Sequence, residues 1–173
     1  MNRRDLFRIG AAAALPAAVE AQALKAGATA WTPALFDAHQ NSTVVALIDQ
    51  LIPATDTPGA KAARVNEHMD KLLADGSVEQ REAFLLGLNY LDGEALSRHA
   101  KPFVACAAAE QTAILQSFST QVDDDESPGG QFFRLAKSLT SRIYYATEIG
   151  FQELNKGGRV PKSYACAAPD GRA

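Results

Sequence analysis

The sequence predicts an all-α domain, an irregular bundle of about five helices followed by an extended C-terminal tail. Three observations predict it. Apolar residues recur at i, i+3, i+4 and i+7 in successive segments, the spacing that lays one helix face on a core. Caps precede these segments, and Gly or Pro follows them. No stretch alternates apolar and polar residues as a half-buried strand does, and there is no internal repeat.

In chain order, Thr32-Pro33 reads as a helix start, a capping hydroxyl with proline at the first helical position. Val44, Leu47, Ile48, Leu51 and Ile52 give that helix its apolar face, and Pro53 ends it. The link Pro53-Ala54-Thr55-Asp56-Thr57-Pro58-Gly59-Ala60 is dense in turn formers. A second helix places Val65, Met69, Leu72 and Leu73 inward and stops at Asp75-Gly76. Ser77-Val78-Glu79-Gln80 has capping-box form and opens a third helix that runs to about His99. Phe84, Leu85, Leu88, Leu91, Ala95 and Leu96 are its expected inward residues, with Gly87 and Gly93 marking a kink or a close helix contact. Phe103 and Val104 are expected to plug the core. A fourth helix over about 107–119 packs through Ile114, Leu115 and Phe118. After the polar loop 123–130, the last helix begins near Gln131 and carries Phe132, Phe133, Ala136, Leu139, Ile143 and Tyr144, with a bend expected at Gly150. Gly157-Gly158 closes the helical domain, 34–158, and residues 159–173 form the tail.

Residues 1–23 read as an export signal: a basic head with Arg3 and Arg4, a short apolar run broken by Pro16, and Ala21-Gln22-Ala23 as the cleavage site. The apolar run is about half the ~20 residues a membrane span needs. The paired arginines suit the twin-arginine route, which carries folded cargo; Asn2 before the pair and Phe7 one place late depart from its usual pattern. An ordinary secretory signal holding two arginines is the alternative. The expected location is the periplasm, with the twin-arginine translocase as a partner and residues 24–33 as a flexible leader. The formal net charge of −3 becomes about −4 once the signal is removed. A mildly acidic domain of this kind argues against nucleic acid as a partner.

Folded export raises the question of a cofactor, and no motif for one is present. The chain lacks a Gly-x-Gly-x-x-Gly after a strand, a Cys-x-x-Cys-His and a cysteine cluster. His39, His68 and His99 fall on different helices without metal-ligand spacing and read as surface residues. The run Asp123 to Glu126 lacks the alternate-ligand spacing of a calcium loop. Ser77 and Ser163 sit in no nucleophile elbow. Tyr144 reads as core, and Tyr145 as core or interface. One physical resolution is that the cofactor belongs to a partner carried across the membrane with this chain.

Leu51-Ile52-Pro53-Ala54-Thr55-Asp56-Thr57-Pro58-Gly59-Ala60 resembles the signature of the gluconate 2-dehydrogenase subunit 3 family. Phe132-Phe133 and Tyr144-Tyr145-Ala146-Thr147-Glu148-Ile149-Gly150 agree with it, and the resemblance runs from about Val44 to Tyr164. It implies a small, non-catalytic subunit of a membrane-associated periplasmic dehydrogenase complex. There the large subunit would hold FAD and oxidise a sugar, sugar acid or polyol, and a multihaem cytochrome c would take the electrons. The small subunit would be the export escort and folding partner of the flavoprotein, with no catalytic, cofactor-binding or metal-binding residue of its own; the alternative is an independent periplasmic helical metal-binding protein or a binding or scaffold module. Tyr145, Glu148, Tyr164 and Cys166 are the expected partner-facing residues. In an oxidising compartment Cys166 can bond the partner, pair with Cys106 within the chain, or both thiols can stay free.

Overall fold

The computed structural model describes residues 31–156, and every described helix lies in the unit that begins at Pro33. Among the described residues six α-helices follow one another: α1 Ala38–Leu51, α2 Val65–Asp75, α3 Val78–His99, α4 Ala108–Ser119, α5 Pro128–Ala146 and α6 Glu148–Leu154. A single 3-10 turn, Phe103–Ala105, joins α3 to α4, and no strand occurs among the described residues. The all-α expectation therefore holds.

The long helix α5 is the hub, packing on each of the other five helices. Its inner face supplies Phe132, Ala136, Leu139, Ile143 and Tyr144 to a core that also contains Leu47, Ile48, Met69, Phe84, Leu91, Phe103 and Phe118. Ring contacts tie the layers together: Phe84 lies 5.9 Å from Phe36 and 5.7 Å from Phe132, centroid to centroid. Such tilted pairs add to the stabilisation from burial alone.

Several boundaries differ from those the sequence suggests, each for a physical reason. The first helix starts at Ala38, not at Thr32-Pro33. Asp37 is its cap: the carboxylate accepts from Gln40 N–H (2.7 Å), and the Gln40 side chain accepts from Asp37 N–H (3.0 Å). The preceding residues are held away from helical geometry by Asp70 of α2, whose buried carboxylate accepts from the N–H groups of Ala34 (2.7 Å), Leu35 (3.0 Å) and Phe36 (2.8 Å). A buried carboxylate is tolerable only with such a set of donors.

The last helix starts at Pro128, not near Gln131, because Ser127 caps it and proline takes the first helical position. It breaks at Thr147, not Gly150. Thr147 is extended, caps α6 by accepting from Gly150 N–H (3.2 Å), and donates its own hydroxyl to Tyr144 O (2.6 Å). The extra break makes six helices where about five were expected. Three residues expected inside are instead exposed: Leu72 (37%), Leu96 (52%) and Val104 (38%). Ser77 caps α3 through Gln80 N–H, and α3 ends at His99 with Ala100 left-handed (φ 56°).

Gly87 marks a close helix contact, as expected. A Cβ there would stand 2.0 Å from Cδ2 of Phe132, so the ring of α5 lies directly on the backbone of α3. Gly93, by contrast, faces open space.

Candidate functional site

The link between α1 and α2 is closed on itself before anything else touches it. Ala60 N–H donates to Ile52 O (2.9 Å) and Thr55 N–H to Thr57 O (3.0 Å), turning the chain back across Gly59. A Cβ on Gly59 would meet Ile52 O, Pro53 C and Ala54 N, all at 2.6 Å. Glycine is required here by space between backbone segments of the turn, not by a left-handed φ.

The C-terminal helices then seal the link. The Tyr144 hydroxyl lies 2.7 Å from Pro58 O and 2.6 Å from Oε2 of Glu153 on α6. It has one proton, so the two acceptors compete for it. Thr57 donates to the other Glu153 oxygen at 3.3 Å. Burial first, and then the Glu153 carboxylate, push the Tyr144 phenol up to about 12. Outside this clamp, the Thr55 hydroxyl donates to Asp56 (2.9 Å), holding that carboxyl below its usual range, with Lys156 3.9 Å away. Leu51 and Ile52 pack against the core, while Pro53, Thr55, Asp56 and Pro58 are exposed. The signature side chains thus bond one another and the last two helices.

At the α5–α6 break a cleft of about 670 Å³ opens against α2. Its floor is apolar, with Leu72, Ile143 and Ala146, and its rim mixes charges: His68, Lys71, Asp75 and Glu148. Glu148 therefore stands on a cleft wall, and Tyr145, three residues earlier, is 41% exposed. Tyr164 and Cys166, like Arg3, Arg4, Phe7, Ala21 and Ala23, lie outside the described residues.

The histidines stay apart. His39 pairs with Asp92 (2.6 Å), His99 lies 3.5 Å from Glu110, and His68 borders the cleft. Among the described residues no group of three His, Cys, Asp or Glu is placed to hold a metal ion. Cys106 forms no disulfide among the described residues; it is buried 3.6 Å from Pro102 O, and burial pushes its pKa up. No described helix is long and apolar enough to cross a membrane.

Sequence reasoning missed three carboxylates that organise this structure. Asp70 holds residues 34–36. Asp92 joins His39 of α1 to the N–H of Phe103 (2.9 Å). Glu153 bonds Tyr144 and Thr57 across 9 and 96 residues of sequence. No local pattern reveals such partners.

Fold and site together define a small all-α domain whose interhelical link is locked by its own C-terminal helices. The chain belongs to the gluconate 2-dehydrogenase subunit 3 family, whose model matches residues 38–158. No curated protein and no solved structure gives a significant match.

Proposed function

We propose that this chain is the non-catalytic small subunit of an FAD-dependent dehydrogenase complex, acting as export escort and folding partner of the flavoprotein. The observation that carries this reading is the family match, which spans all six helices of the domain. The placement of the signature link supports it, since those residues stabilise the bundle and do not line the α2–α5–α6 cleft. In this reading FAD belongs to the large subunit, which also selects the sugar, sugar acid or polyol. Haem c belongs to a cytochrome partner. The twin-arginine leader takes the assembled pair to the periplasm, where the complex is membrane-associated, and Cys166 bonds the flavoprotein.

The test is export. Changing Arg3 and Arg4 together to Lys should strand both this chain and the flavoprotein in the cytoplasm, read by fractionation and flavin content. A flavoprotein that still reaches the periplasm overturns the escort role.

A further inference from the structure

A second cleft, of about 500 Å³, lies between α3 and α5. Ala83, Leu86 and Tyr90 of α3 line one wall, and Leu135 the other. Phe132 is the floor, seated on the bare backbone of Gly87. Leu86 is 68% exposed, the most exposed large apolar side chain among the described residues. Ala83, Leu86 and Tyr90 sit at helical spacing on one face, which gives a strip about 10 Å long.

Carboxylates outnumber cations in the segment 123–134 beside this cleft. Gly129 and Tyr90 both lie against the Phe118 ring, while Phe84 lies against Phe132, so α3 and α5 run antiparallel. The loop 123–126 that leads into α5 therefore sits at the Tyr90 end. It is fastened there by the Gln131 side chain, a cleft residue that donates to Asp125 O. Asp125 pairs with Arg134 (2.8 Å), but Asp123, Asp124 and Glu126 make no ion pair among the described residues. Glu79 and Glu82 precede Ala83 and Leu86 on the same helix face and are likewise without an ion pair among the described residues. The α2–α5–α6 cleft has no such bias, since Lys71 opposes Asp75 and Glu148 on its rim.

We propose that the α3–α5 cleft seats a short amphipathic helix of the flavoprotein, with aliphatic side chains on Leu86, Tyr90 and the Phe132 floor and Lys or Arg over Asp123, Asp124 and Glu126. The strip's length suits a helix of about two to three turns, anchored at i, i+3 or i+4, and i+7. This rests on the escort reading and adds where the flavoprotein is held and by what chemistry. Apolar anchors supply the affinity, and the acidic loop favours a basic helix over an acidic one.

The experiment co-expresses the tagged full-length chain with the flavoprotein and measures flavin recovered per tagged chain over a range of salt concentrations. Leu86→Lys should lower recovery at least about tenfold. Leu96→Lys, on another face of the same helix, should leave it within about twofold. Circular dichroism of both variants guards against misfolding. The triple variant Asp123→Asn, Asp124→Asn, Glu126→Gln should weaken the complex at low salt and flatten its salt dependence. Equal recovery with Leu86→Lys and wild type overturns the docking site alone, as does equal loss with both lysine variants. An unaltered salt dependence in the triple variant overturns the basic end of the bound helix. No flavin with the wild-type chain overturns the escort reading and this site with it.

Discussion

The link 51–60 and the α3–α5 cleft both depend on a glycine against which another part of the chain is pressed, with opposite results. At Gly59 the neighbours are backbone atoms of the same turn, and Tyr144 and Glu153 close over the outside. At Gly87 the neighbour is one ring, Phe132, and the space above it stays open between Leu86 and Leu135. The first region carries the residues that resemble the family signature, and Gly59 and Ala60 within it are buried. The second carries no recognisable motif, and it offers apolar surface. A family signature can thus report how a domain is held together while the surface it presents goes unmarked.

Substitutions can break this contrast or sharpen it. Gly59→Val should have the largest effect, because backbone cannot move aside as a flexible side chain can. Overpacking of this kind lowers stability by about 3 kcal/mol, measurable by denaturant unfolding, and an unchanged midpoint would show that the turn relaxes freely. Tyr144→Phe should cost less, about 1.5 kcal/mol, for a buried hydrogen bond to a charged partner.

It should also change the alkaline limb of the stability curve. The folded protein holds the Tyr144 proton up to about 12, whereas the unfolded chain releases it near 10.0. The stabilisation is thus complete below pH 10.0 and is lost as pH rises toward 12. The phenylalanine variant should lack that component; identical pH profiles for the two proteins would show that the phenol is not held as described. Leu86→Lys should be smallest, within about 0.5 kcal/mol of wild type, because the side chain is mostly in solvent. A large loss of stability there would make Leu86 a structural residue and remove the contrast.

Much of the fold was legible because its signals are local. Ser77 and the spacing of Phe84, Leu88, Leu91 and Ala95 define α3 to its last residue, His99. The start of α1 was not legible, since Thr32-Pro33 offers a sound local signal that Asp70 overrides from 34 to 36 residues away. The break at Thr147 was equally hidden, because the tyrosines before it continue the apolar pattern into a helix that stops. Of the candidate site, the link and its role in joining α1 to α2 could be read, but its clamp could not: Glu153 looks like any polar residue of a surface helix. Periodicity marks Leu72 and Leu96 as inward because it counts apolar positions and does not see whether a neighbouring helix covers them. Clefts are the places where that cover is missing.

Asp70 also governs a timescale. The amides of Ala34, Leu35 and Phe36 precede the first helix, where backbone N–H groups ordinarily trade protons with solvent quickly. All three are bound to a carboxylate on α2, between Met69 and Leu73, which are both fully buried. Their protons can leave only when this contact opens, and releasing α2 itself means lifting two core side chains into water. A stretch without helix is thereby tied to the bundle's interior. The hydrogen-bonded edge of the domain reaches back to Ala34, four residues before its first helical turn begins.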